Sequence, residues 1–361
     1  MKDYNLAIIG LGGMGNWHRE LINEGSWFGG KKLEGGGIEH LNVTGSFDIN
    51  EKRQLFAREH NLYTYDSMEA LLADPKIDIV LVSTPNDLHK PLVIKALEAG
   101  KNVVCEKPVT LGSKDLQQMI DASIKAKKVF AVHQNRRWDE DYLIIKKIYD
   151  ENLLGDIFRI ESRVHGSRGI PKDWRGKPEH GGGMVFDWGV HILDQALQMI
   201  PGKVKKVYAS LTNITNELVD DGFYAELTFY NGLVFLAEVG TSNFIKLPRW
   251  YVLGRNGSAV IEDFSGNNKM VRITDWNKND AVPVRTAAGL TKTMAPRTKE
   301  TIKEEALPVV KSDIRDFYRN ILATIEGPEK LKVSLDSVMR NMKLMETIFL
   351  SAKNGVPEQF E

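Results

Sequence analysis

The sequence predicts two domains, an α/β domain built on a doubly wound parallel sheet over residues 1–132 and an α+β domain with an open, mostly antiparallel sheet over residues 133–361. In the first part, short apolar stretches alternate with helical patterns, which is the rhythm of a parallel sheet. In the second part, two Asn-Gly dipeptides, beginning at Asn231 and Asn256, separate strand patterns and indicate hairpins. With 361 residues, the chain is long enough to bury two cores.

The composition favours a globular protein with neither a nucleic-acid nor a membrane partner. Lys plus Arg and Asp plus Glu number 48 each, so the net charge is zero. Hydrophobic residues make up 42% of the chain, and no apolar run reaches the length of a membrane span. Met1 leads into a strand pattern rather than a signal peptide, so we expect a cytoplasmic protein. The single cysteine, Cys105, excludes an intrachain disulfide and an all-cysteine metal site.

A glycine-rich motif follows the first predicted strand, residues 6–9. Its glycines match G-x-G-x-x-G, and a helix is predicted directly after them, over residues 14–22. Glycines permit a tight turn here and let backbone N–H groups at the helix start face a pyrophosphate, as in a dinucleotide-binding Rossmann domain. The predicted cofactor-binding residues of this loop are Gly10, Gly12, Gly13, Met14 and Gly15.

Residues 23–42 interrupt the pattern with six glycines among lysines and glutamates. This composition predicts a long loop inserted between the first helix and the second strand. One interpretation is a surface insertion, and the other is a lid or a partner contact made by Trp27 and Phe28.

The second strand, residues 43–47, ends at Asp48. A carboxylate at this place accepts hydrogen bonds from ribose hydroxyls and repels a 2′-phosphate, so NAD is the predicted cofactor. NADP is the alternative, because Lys52 and Arg53 lie nearby. Asp48 also suits the N-terminus of the next predicted helix, residues 51–60.

The alternation continues with helices at 67–73, 88–99 and 114–125 and strands at 77–82, 102–105 and 129–132. Two of these strands end in polar residues. Because ligands bind beyond the carboxyl ends of strands in such sheets, we expect cofactor contacts there. The predicted contacts are Ser83, Thr84, Pro85, Asn86, His89, Glu106 and Lys107.

Lys107 is the most informative of these residues. It precedes Pro108 at a strand end, so the chain cannot run on into a regular helix, and the side chain stays at the ligand edge. Beside a nicotinamide and an apolar wall its pKa would fall, which would let it transfer protons. The alternative is an ordinary surface lysine.

A second polar constellation lies in the later part of the chain. Asp187, His191 and Asp194 stand at i, i+4 and i+7, so on a helix they share one face. Three glycines, residues 181–183, precede them and leave room for a ligand or another backbone. By itself the pattern fits a base with its orienting acid, half of a metal site or a buried polar network.

Together these motifs resemble the Gfo/Idh/MocA family, named for glucose–fructose oxidoreductase, inositol dehydrogenase and a rhizopine-catabolism protein. The resemblance covers essentially the whole chain, including Glu106-Lys107-Pro108 and the Asp-x-Gly-x-His-x-x-Asp motif that begins at Asp187. It implies reversible hydride transfer between a nicotinamide cofactor and a secondary alcohol of a sugar or cyclitol.

The resemblance also implies roles for individual residues. Lys107 takes the place of the catalytic lysine, Asp187 that of the acid that orients the substrate, and His191 that of the general base. Asp194 is expected to brace His191 from behind. No metal ion is then required.

Further ligand contacts are expected from the segment that follows the last strand of the first domain. In the family this region contacts both ligands, so we expect Asn135 at the cofactor. Trp174 offers a flat face for a sugar and Arg175 a fork of donors, although a polar surface loop packed in an oligomer is an equal alternative. The predicted substrate-binding residues are Arg136, His165, Trp174, Arg175, Asp187 and His191.

Strands of the second domain are predicted at 157–164, 205–211, 223–229, 234–241, 250–254 and 258–262. One face of this sheet has to be covered by helices or by another subunit. The resemblance implies a homo-oligomer, a dimer, tetramer or larger. Residues 270–303 are polar and aperiodic, which predicts an arm or mobile loop, and helices close the chain over 314–350.

We therefore expect an NAD(P)-dependent oxidoreductase that oxidises a secondary hydroxyl of a sugar, of a glycoside at a C3-type position or of an inositol. One alternative is a cofactor-recycling enzyme of the same fold, which carries out a net isomerisation or hydrolysis with tightly bound NAD. The other is a non-catalytic NAD-binding sensor, which would bind the cofactor without turnover.

Overall fold

The computed structural model describes residues 2–25, 27–28, 31–32, 34–263, 268–278 and 281–361. These residues form a six-stranded parallel sheet in the N-terminal part and a nine-stranded mixed sheet in the C-terminal part. The predicted combination of an α/β and an α+β domain is confirmed. Within the described ranges, no helix combines the length and the apolar character that crossing a membrane requires.

Up to residue 132, the described strands are β1 (Tyr4–Ile9), β2 (Trp27–Phe28), β3 (Lys31–Lys32), β4 (Leu41–Phe47), β5 (Tyr63–Thr64), β6 (Ile79–Val82), β7 (Asn102–Cys105) and β8 (Phe130–Val132). The N-terminal sheet has the order β5-β4-β1-β6-β7-β8, and β2 pairs with β3 in a separate hairpin. The strand order runs outward from β1 on one side and from β6 on the other. A topological switch point, where such sheets bind ligands, therefore lies between β1 and β6.

The parallel strands are connected by helices α1 (Gly13–Asn23), α2 (Glu51–Glu59), α3 (Met68–Ala73), α4 (His89–Glu98) and α5 (Ser113–Ala126). β6 is buried along its whole length, as expected for a parallel sheet covered on both faces. Because all the strands run in the same direction, their carboxyl ends lie at one edge of the sheet. Five residues therefore follow the carboxyl ends of the longer strands, namely Gly10, Asp48, Ser83, Glu106 and His133.

The later described strands are β9 (Ile157–His165), β10 (Val204–Thr212), β11 (Gly222–Phe229), β12 (Val234–Gly240), β13 (Trp250–Gly254), β14 (Gly257–Ile261), β15 (Asn268–Ile273), β16 (Val284–Thr286), β17 (Gly289–Thr291), β18 (Ile302–Glu305) and β19 (Glu358–Gln359). The C-terminal sheet has the order β18-β15-β14-β13-β9-β12-β11-β10-β19. Its pairs are antiparallel except β9 with β12. β16 and β17 form a separate hairpin.

The C-terminal helices are α6 (Glu140–Asp150), α7 (Val190–Met199), α8 (Asp316–Glu326) and α9 (Leu335–Asn354). α9 packs on α7 and β10 and also on α5 of the first domain. Alternate residues of the sheet, among them Phe223, Phe235 and Trp250, are buried in the core. Because the closing helices touch both parts of the chain, they fix how the two sheets are placed around the carboxyl edge of the parallel sheet.

The glycine-rich insertion lies at the amino end of the parallel sheet. The Tyr4 N–H at the start of β1 donates to the carbonyl oxygen of His40, at 2.9 Å. The carboxyl edge lies at the opposite end of β1, so the structure favours a surface insertion over a lid. The side chains of Trp27 and Phe28 lie outside the described part of the structure, and a partner contact made by them stays a prediction.

An arginine from the C-terminal part of the chain fastens this insertion. Arg315 Nη1 donates to the carbonyl oxygens of Glu34 and Gly36, at 2.8 and 2.7 Å. Asp313 accepts from Arg315 Nε and Nη2 and holds the guanidinium in place. The insertion is therefore part of the contact between the two ends of the chain.

The segment predicted as an arm or mobile loop contains regular strands, so that prediction was wrong in part. β15 and β18 pair antiparallel at one edge of the large sheet. Their sequences are mostly charged and polar, including Lys269, Arg272 and Lys303. β18 is the edge strand and β15 lies between it and β14; of β15 only Met270 is buried, so the pair gives little periodicity.

Helix α8 is joined to α1 by a buried polar contact. The Tyr318 hydroxyl lies 2.7 Å from His18 Nδ1, and His18 Nε2 lies 2.7 Å from the carboxylate of Glu106. Tyr318 and His18 are fully buried. Burial lowers the pKa of His18 to about 4, so the ring is neutral at pH 7. Nε2 then carries the proton, and Nδ1 accepts from the tyrosine hydroxyl.

We expect Tyr318→Phe to lower the free energy of unfolding by about 1–3 kcal/mol, because His18 Nδ1 would stay buried without a donor. Urea denaturation measures the change. Tyr63→Phe is the matched control, since Tyr63 is 65% exposed, and it should change stability by less than about 0.5 kcal/mol. Equal midpoints for the two variants would contradict the donor assignment.

Candidate active site

The glycine motif forms an open loop after β1. Gly10 has a φ of +91°, and a Cβ there would lie 2.9 Å from the carbonyl oxygen of Ser83. A Cβ on Gly15 would lie 2.3 Å from the carbonyl oxygen of Gly10. Both positions therefore require glycine. At Gly12 and Gly13, no described atom other than those of the adjoining residues and of the α1 backbone lies within 4 Å of the place a Cβ would take, so space is open in front of α1.

The start of α1 offers backbone donors toward this space. Within the described chain, no side chain caps this helix, and the first N–H groups of a helix have no partner inside it. Met14, in the first turn, is 37% exposed. Free N–H groups and the positive end of the helix dipole suit a pyrophosphate. The residues present therefore fit the dinucleotide that the motif predicts.

Asp48 lies against the glycine loop from the end of β4. Its Oδ2 accepts from the backbone N–H of Leu11 at 2.7 Å, and its Oδ1 accepts from the N–H of Asn50 at 2.8 Å. The side chain that caps α2 is Asn50, which accepts from the N–H of Lys52. Asp48 is thus free of the capping role and stands beside the loop, as a ribose-binding acid would.

The loop after β6 borders the glycine motif on its other side. The Ser83 hydroxyl donates to the carbonyl oxygen of Gly10 at 2.7 Å. Asn86 Nδ2 donates to the carbonyl oxygen of Gly181 at 3.1 Å. Gly181 lies in the second domain, in the glycine segment that precedes Asp187 and His191. The loop therefore connects the cofactor edge to the second domain.

His89 joins two loops of this edge. Its ring lies between the carbonyl oxygens of Thr84 and Pro108, each at 2.9 Å from a ring nitrogen. Burial lowers the pKa of His89, so the neutral ring donates to one of the two oxygens at a time. His89 is fully buried, and its position indicates support of the cofactor wall.

Glu106 is the centre of a buried polar network beneath Lys107. Its Oε1 accepts from His18 Nε2 at 2.7 Å and from His133 Nδ1 at 2.8 Å, and its Oε2 accepts from the Lys107 N–H at 3.0 Å. Burial raises the pKa of Glu106, but the His133 and His18 contacts outweigh it and hold that pKa well below its usual range. The ionised carboxylate therefore fixes the backbone at Lys107.

His18, Glu106 and His133 are also compact enough to be compared with a metal site. However, the distances of 2.7 and 2.8 Å between the carboxylate and the ring nitrogens are those of hydrogen bonds. The donors around Glu106 account for the positions of all three side chains. We therefore interpret the cluster as a hydrogen-bond network.

Lys107 and Asp187 bring the two domains together at the site. Lys107 Nζ donates to the carbonyl oxygen of Asp187 at 3.0 Å and to its Oδ1 at 3.1 Å. Asp187 lies in a π-helical turn, Val185–Gly189, that leads into α7, and such turns are frequent at functional sites. Arg175 Nε lies 3.7 Å from Asp187 Oδ2. Burial raises the pKa of Asp187, but Lys107 and Arg175 outweigh it and lower that pKa overall.

His191 lies in the first turn of α7 and is only 5% exposed. Its Nδ1 is buried and has no hydrogen-bond partner among the described residues. Burial, and then the positive charges of Lys107 and Arg136, hold the pKa of His191 well below its usual range. The ring is therefore neutral at neutral pH and has a free lone pair to accept a proton.

The expectation that Asp194 braces His191 was wrong. The Asp194 carboxylate accepts from Arg137 Nε at 2.8 Å and from Nη2 at 2.7 Å, and the same Nη2 donates to Ser337 in α9. A bidentate guanidinium is the stronger partner for a buried carboxylate. Asp194 therefore fastens the segment after β8 to α7.

Arg136 and Trp188 lie next to His191. The Arg136 guanidinium is 4.2 Å from the centre of the Trp188 ring, and its Nη1 donates to Asp139 at 2.8 Å. The rings of Trp188 and His191 are 6.1 Å apart between centroids. Asn135 Oδ1 is buried with no hydrogen-bond partner in the described chain. The segment after β8 thus offers donors and an acceptor to a ligand at this place.

The predicted substrate residues beyond β9 divide into two groups. The Arg175 guanidinium is 4.5 Å from the centre of the Trp174 ring, so the pair belongs to the surroundings of Asp187. His165 Nε2 is instead 3.2 Å from Glu238 Oε1 on the neighbouring strand β12. The structure therefore brings Arg175 and Trp174 to the cluster and places His165 in the sheet, and its substrate contact stays a prediction.

The supporting roles of three buried residues were not predicted from the sequence, although His133 begins the segment expected to line the entrance between the domains. His18 and His133 hold Glu106, and Asp220 holds the start of the helix that carries Asp187. His18 had a signal, because it lies one turn into the helix after the glycine motif. Asp220 had none, since it precedes a strand far from any motif.

Comparisons with known proteins agree with this geometry. Residues 4–134 match a family described as "Oxidoreductase family, NAD-binding Rossmann fold", and residues 142–260 match the "GFO/IDH/MocA C-terminal domain". The chain is 44% identical to a solved NAD-binding protein from Listeria innocua, with a TM-score of 0.93, covering 99% of this chain and 100% of that one.

Two curated relatives have named activities. The chain is 28% identical over 290 residues to the scyllo-inositol 2-dehydrogenase (NADP(+)) IolW of Bacillus subtilis, covering 79% of this chain and 80% of that protein. It is 29% identical over 223 residues to the 2,7-anhydro-N-acetylneuraminate hydratase of Escherichia coli, covering 59% of each chain. The matches to both domains, together with the 44% identity over almost the whole length, confirm the resemblance seen in the sequence. The chain belongs to the Gfo/Idh/MocA family and is an NAD(P)-binding oxidoreductase.

Proposed function

We propose that this protein oxidises a secondary hydroxyl of a sugar, of a glycoside at a C3-type position or of an inositol. The proposal rests on the contact between Lys107 of the first domain and Asp187 of the second, one turn before a neutral His191. These are the groups that removal of a hydride and a proton from an alcohol requires. A relative named as a scyllo-inositol dehydrogenase supports the substrate class.

In the proposed reaction the bound nicotinamide supplies the hydride acceptor. His191 accepts the proton from the hydroxyl oxygen on its unprotonated ring nitrogen as the hydride leaves the carbon that bears this hydroxyl. Lys107 uses two of its three N–H hydrogens on Asp187, and the third stabilises the substrate oxygen as negative charge develops there. Asp187 accepts a hydrogen bond from a neighbouring hydroxyl and orients the ring. A base positioned in this way contributes ~10²–10⁴ in rate.

We further propose that NAD is preferred over NADP. The Asp48 carboxylate stands at the glycine loop, with its Oδ2 on the N–H of Leu11, where its charge would repel a 2′-phosphate. The Bacillus subtilis relative is named for NADP(+). The proposed preference therefore follows from the acid at this chain's own strand end and not from the family.

A second candidate is a cofactor-recycling enzyme that carries out a net reaction without overall oxidation. The relative from Escherichia coli is named as a hydratase, and this name supports the candidate because hydration involves no overall oxidation. Purified protein that already contains tightly bound cofactor, and that forms no free NADH with any polyol, would support it. Cofactor binding without any turnover would support a sensor instead.

We also propose that the protein is a cytoplasmic homo-oligomer built on the open face of its C-terminal sheet. The strand register places Tyr208 and Tyr251 on one face with Glu161 and Glu238. The two tyrosines are 39% and 37% exposed. An open sheet face that carries half-exposed aromatic rings between ion pairs suits a second copy of the same face.

We expect the purified protein to form NADH from NAD with one class among inositols, free hexoses and glycosides. Lys107→Ala should lower kcat at least ~100-fold, because it removes both the charge that stabilises the alkoxide and the partner of Asp187. NADH absorbance measures turnover, and NADH fluorescence measures binding of the cofactor.

Lys114→Ala is the matched control, since Lys114 is an exposed lysine of the same domain, and its kcat should stay within twofold of the wild type. Full activity of Lys107→Ala on the substrate found would overturn the assignment of the lysine. Cofactor binding should survive in both variants.

Asp48→Ser should shift the cofactor preference. We expect the ratio of kcat/KM for NAD to that for NADP to fall about tenfold or more, because the change removes a negative charge from the place of a 2′-phosphate, a loss of about 1.4 kcal/mol. Steady-state assays with each cofactor measure the ratio. Asp66→Ser, at an exposed acid of the same domain, should leave it unchanged.

The double change Tyr208→Glu with Tyr251→Glu should convert the oligomer to monomers, because like charges would then face each other across the interface. Sedimentation velocity reports the mass. Tyr230→Glu changes a tyrosine that is 60% exposed in a turn, and it should leave the oligomer intact. A wild-type protein that sediments as a monomer would contradict the proposed interface.

A further inference from the structure

We propose that Asp220 is a positioning residue for the reaction, and that its carboxylate holds the first turn of the helix that carries Asp187 and His191. The kinetic part of this inference rests on the proposed function, whereas the structural part is independent of it. Asp220 lies in the segment before β11, more than thirty residues from the helix it meets. It was assigned no role by the sequence motifs.

The carboxylate of Asp220 meets the helix start directly. Its Oδ2 accepts from the N–H of Val185 at 2.8 Å, and its backbone carbonyl oxygen accepts from the N–H of Met184 at 3.0 Å. No side chain from the helix's own N-terminal flank caps this turn in the described chain. Asp220 therefore satisfies donors that a helix start leaves unpaired, and it does so from another part of the fold.

Gly183 makes room for this contact. A Cβ on Gly183 would lie 2.2 Å from Asp220 Oδ1, and its φ of +107° favours glycine as well. The Gly183 carbonyl oxygen accepts from the N–H of Asp187, and its N–H donates to the carbonyl oxygen of Arg175, each at 3.0 Å. Gly183, which lies against the Asp220 carboxylate, thus forms backbone hydrogen bonds with both Asp187 and Arg175.

Loss of this hold would move the reacting groups. Lys107 is bonded to both the carbonyl oxygen and the carboxylate of Asp187, so a shift of the first turn would displace the lysine's partner. His191 follows one turn later and would shift with it. A displacement of about 1 Å at a reacting centre is enough to lower a rate up to about a hundredfold.

The position of Asp220 also gives it an unusual titration. Burial raises the pKa of Asp220 to about 7, although the backbone donors of Val185 and Met184 oppose the rise. Of the nearby titratable groups, Asp221 precedes the same strand, Arg175 lies in the loop bonded to Gly183, and Asp187 lies in the helix. Asp221 adds to the rise. The carboxylate is therefore converted to the neutral acid as the pH falls through about 7.

The consequence is a loss of activity on the acidic side of the pH profile, near pH 7, that protonation of His191 does not explain. The pKa of His191 lies well below its usual range, so His191 stays neutral while Asp220 takes up its proton. The neutral acid is a weaker partner for the positive end of the helix. Activity should therefore fall as the pH falls through about 7 because the helix start is held less firmly.

The first experiment follows hydrogen exchange of the peptide that contains residues 184–189 by mass spectrometry, which needs no substrate. Asp220→Ala should speed exchange of these amides at least about fivefold at pH 8, because Val185 loses its acceptor. The control is Asp221→Asn, at the adjacent acid, which is bonded to Thr212 and Thr215 and not to the helix. It should leave exchange of this peptide unchanged.

The second experiment measures kcat against pH with the substrate found. Asp220→Ala should lower kcat at pH 8 by about tenfold to a hundredfold, with the dissociation constant of NADH unchanged. Asp220→Asn keeps an oxygen that can accept from Val185 but cannot ionise. It should therefore have an intermediate kcat with no limb near pH 7. Asp221→Asn should keep the limb but move it to lower pH, because the charge of Asp221 that adds to the rise is gone.

The outcomes separate the two proposals. Unchanged exchange in Asp220→Ala, or a limb near pH 7 that persists in Asp220→Asn, would overturn the role of Asp220. If Asp220→Ala does not fold, exchange and the pH profile of Asp220→Asn decide. If the wild type turns over no sugar, glycoside or inositol, the proposed function fails, and exchange of residues 184–189 still decides whether Asp220 holds the helix.

Discussion

The contact between Lys107 and Asp187 is the interaction on which the site depends. Each domain supplies one of the two residues, so neither domain holds a complete site. The positive charge of Lys107 lowers the pKa of Asp187 and also that of His191. For a carboxylic acid a lower pKa favours the charged form, and for an imidazole it favours the neutral form. Together with the burial of His191, which is the larger cause there, Lys107 therefore favours a charged Asp187 and a neutral His191.

Lys107 is held in turn by a buried network that reaches the cofactor helix. Glu106 accepts from the N–H of Lys107 and from His18 and His133. A buried carboxylate is stable only when donors replace the water it has lost. Because His18 lies on α1 and is bonded to Tyr318 on α8, the same donors connect the glycine loop, Lys107 and the closing helices. The site is thus built on buried polar groups that come from both domains.

The sequence predicts best what is encoded locally. The strand at 102–105 coincides with β7, and Lys107 follows it because Pro108 ends the pattern. Prediction from the sequence failed where a residue's role depends on a contact with a distant segment. Asp194 shares a helix with His191 but pairs with Arg137, which arrives from the segment after β8. The strand β15, next to the edge strand β18, buries too little to show a period, and no motif points to Asp220. Periodicity and spacing report neighbours along the chain, whereas these roles depend on neighbours across the fold.

We expect substrate specificity to arise mainly in the second domain, because the most unusual stretch of the first lies away from the carboxyl edge of its sheet. The glycine-rich insertion is bonded to the amino end of β1 and to Arg315, whereas Asp187 lies at the carboxyl edge. The side chains around Asp187 come instead from Arg136, Trp188 and the Trp174–Arg175 pair. Two guanidinium groups stacked on two indole rings can bind hydroxyls at the edge of a sugar ring and pack against its apolar face. We therefore expect changes of substrate within this scaffold to follow these four side chains rather than the insertion.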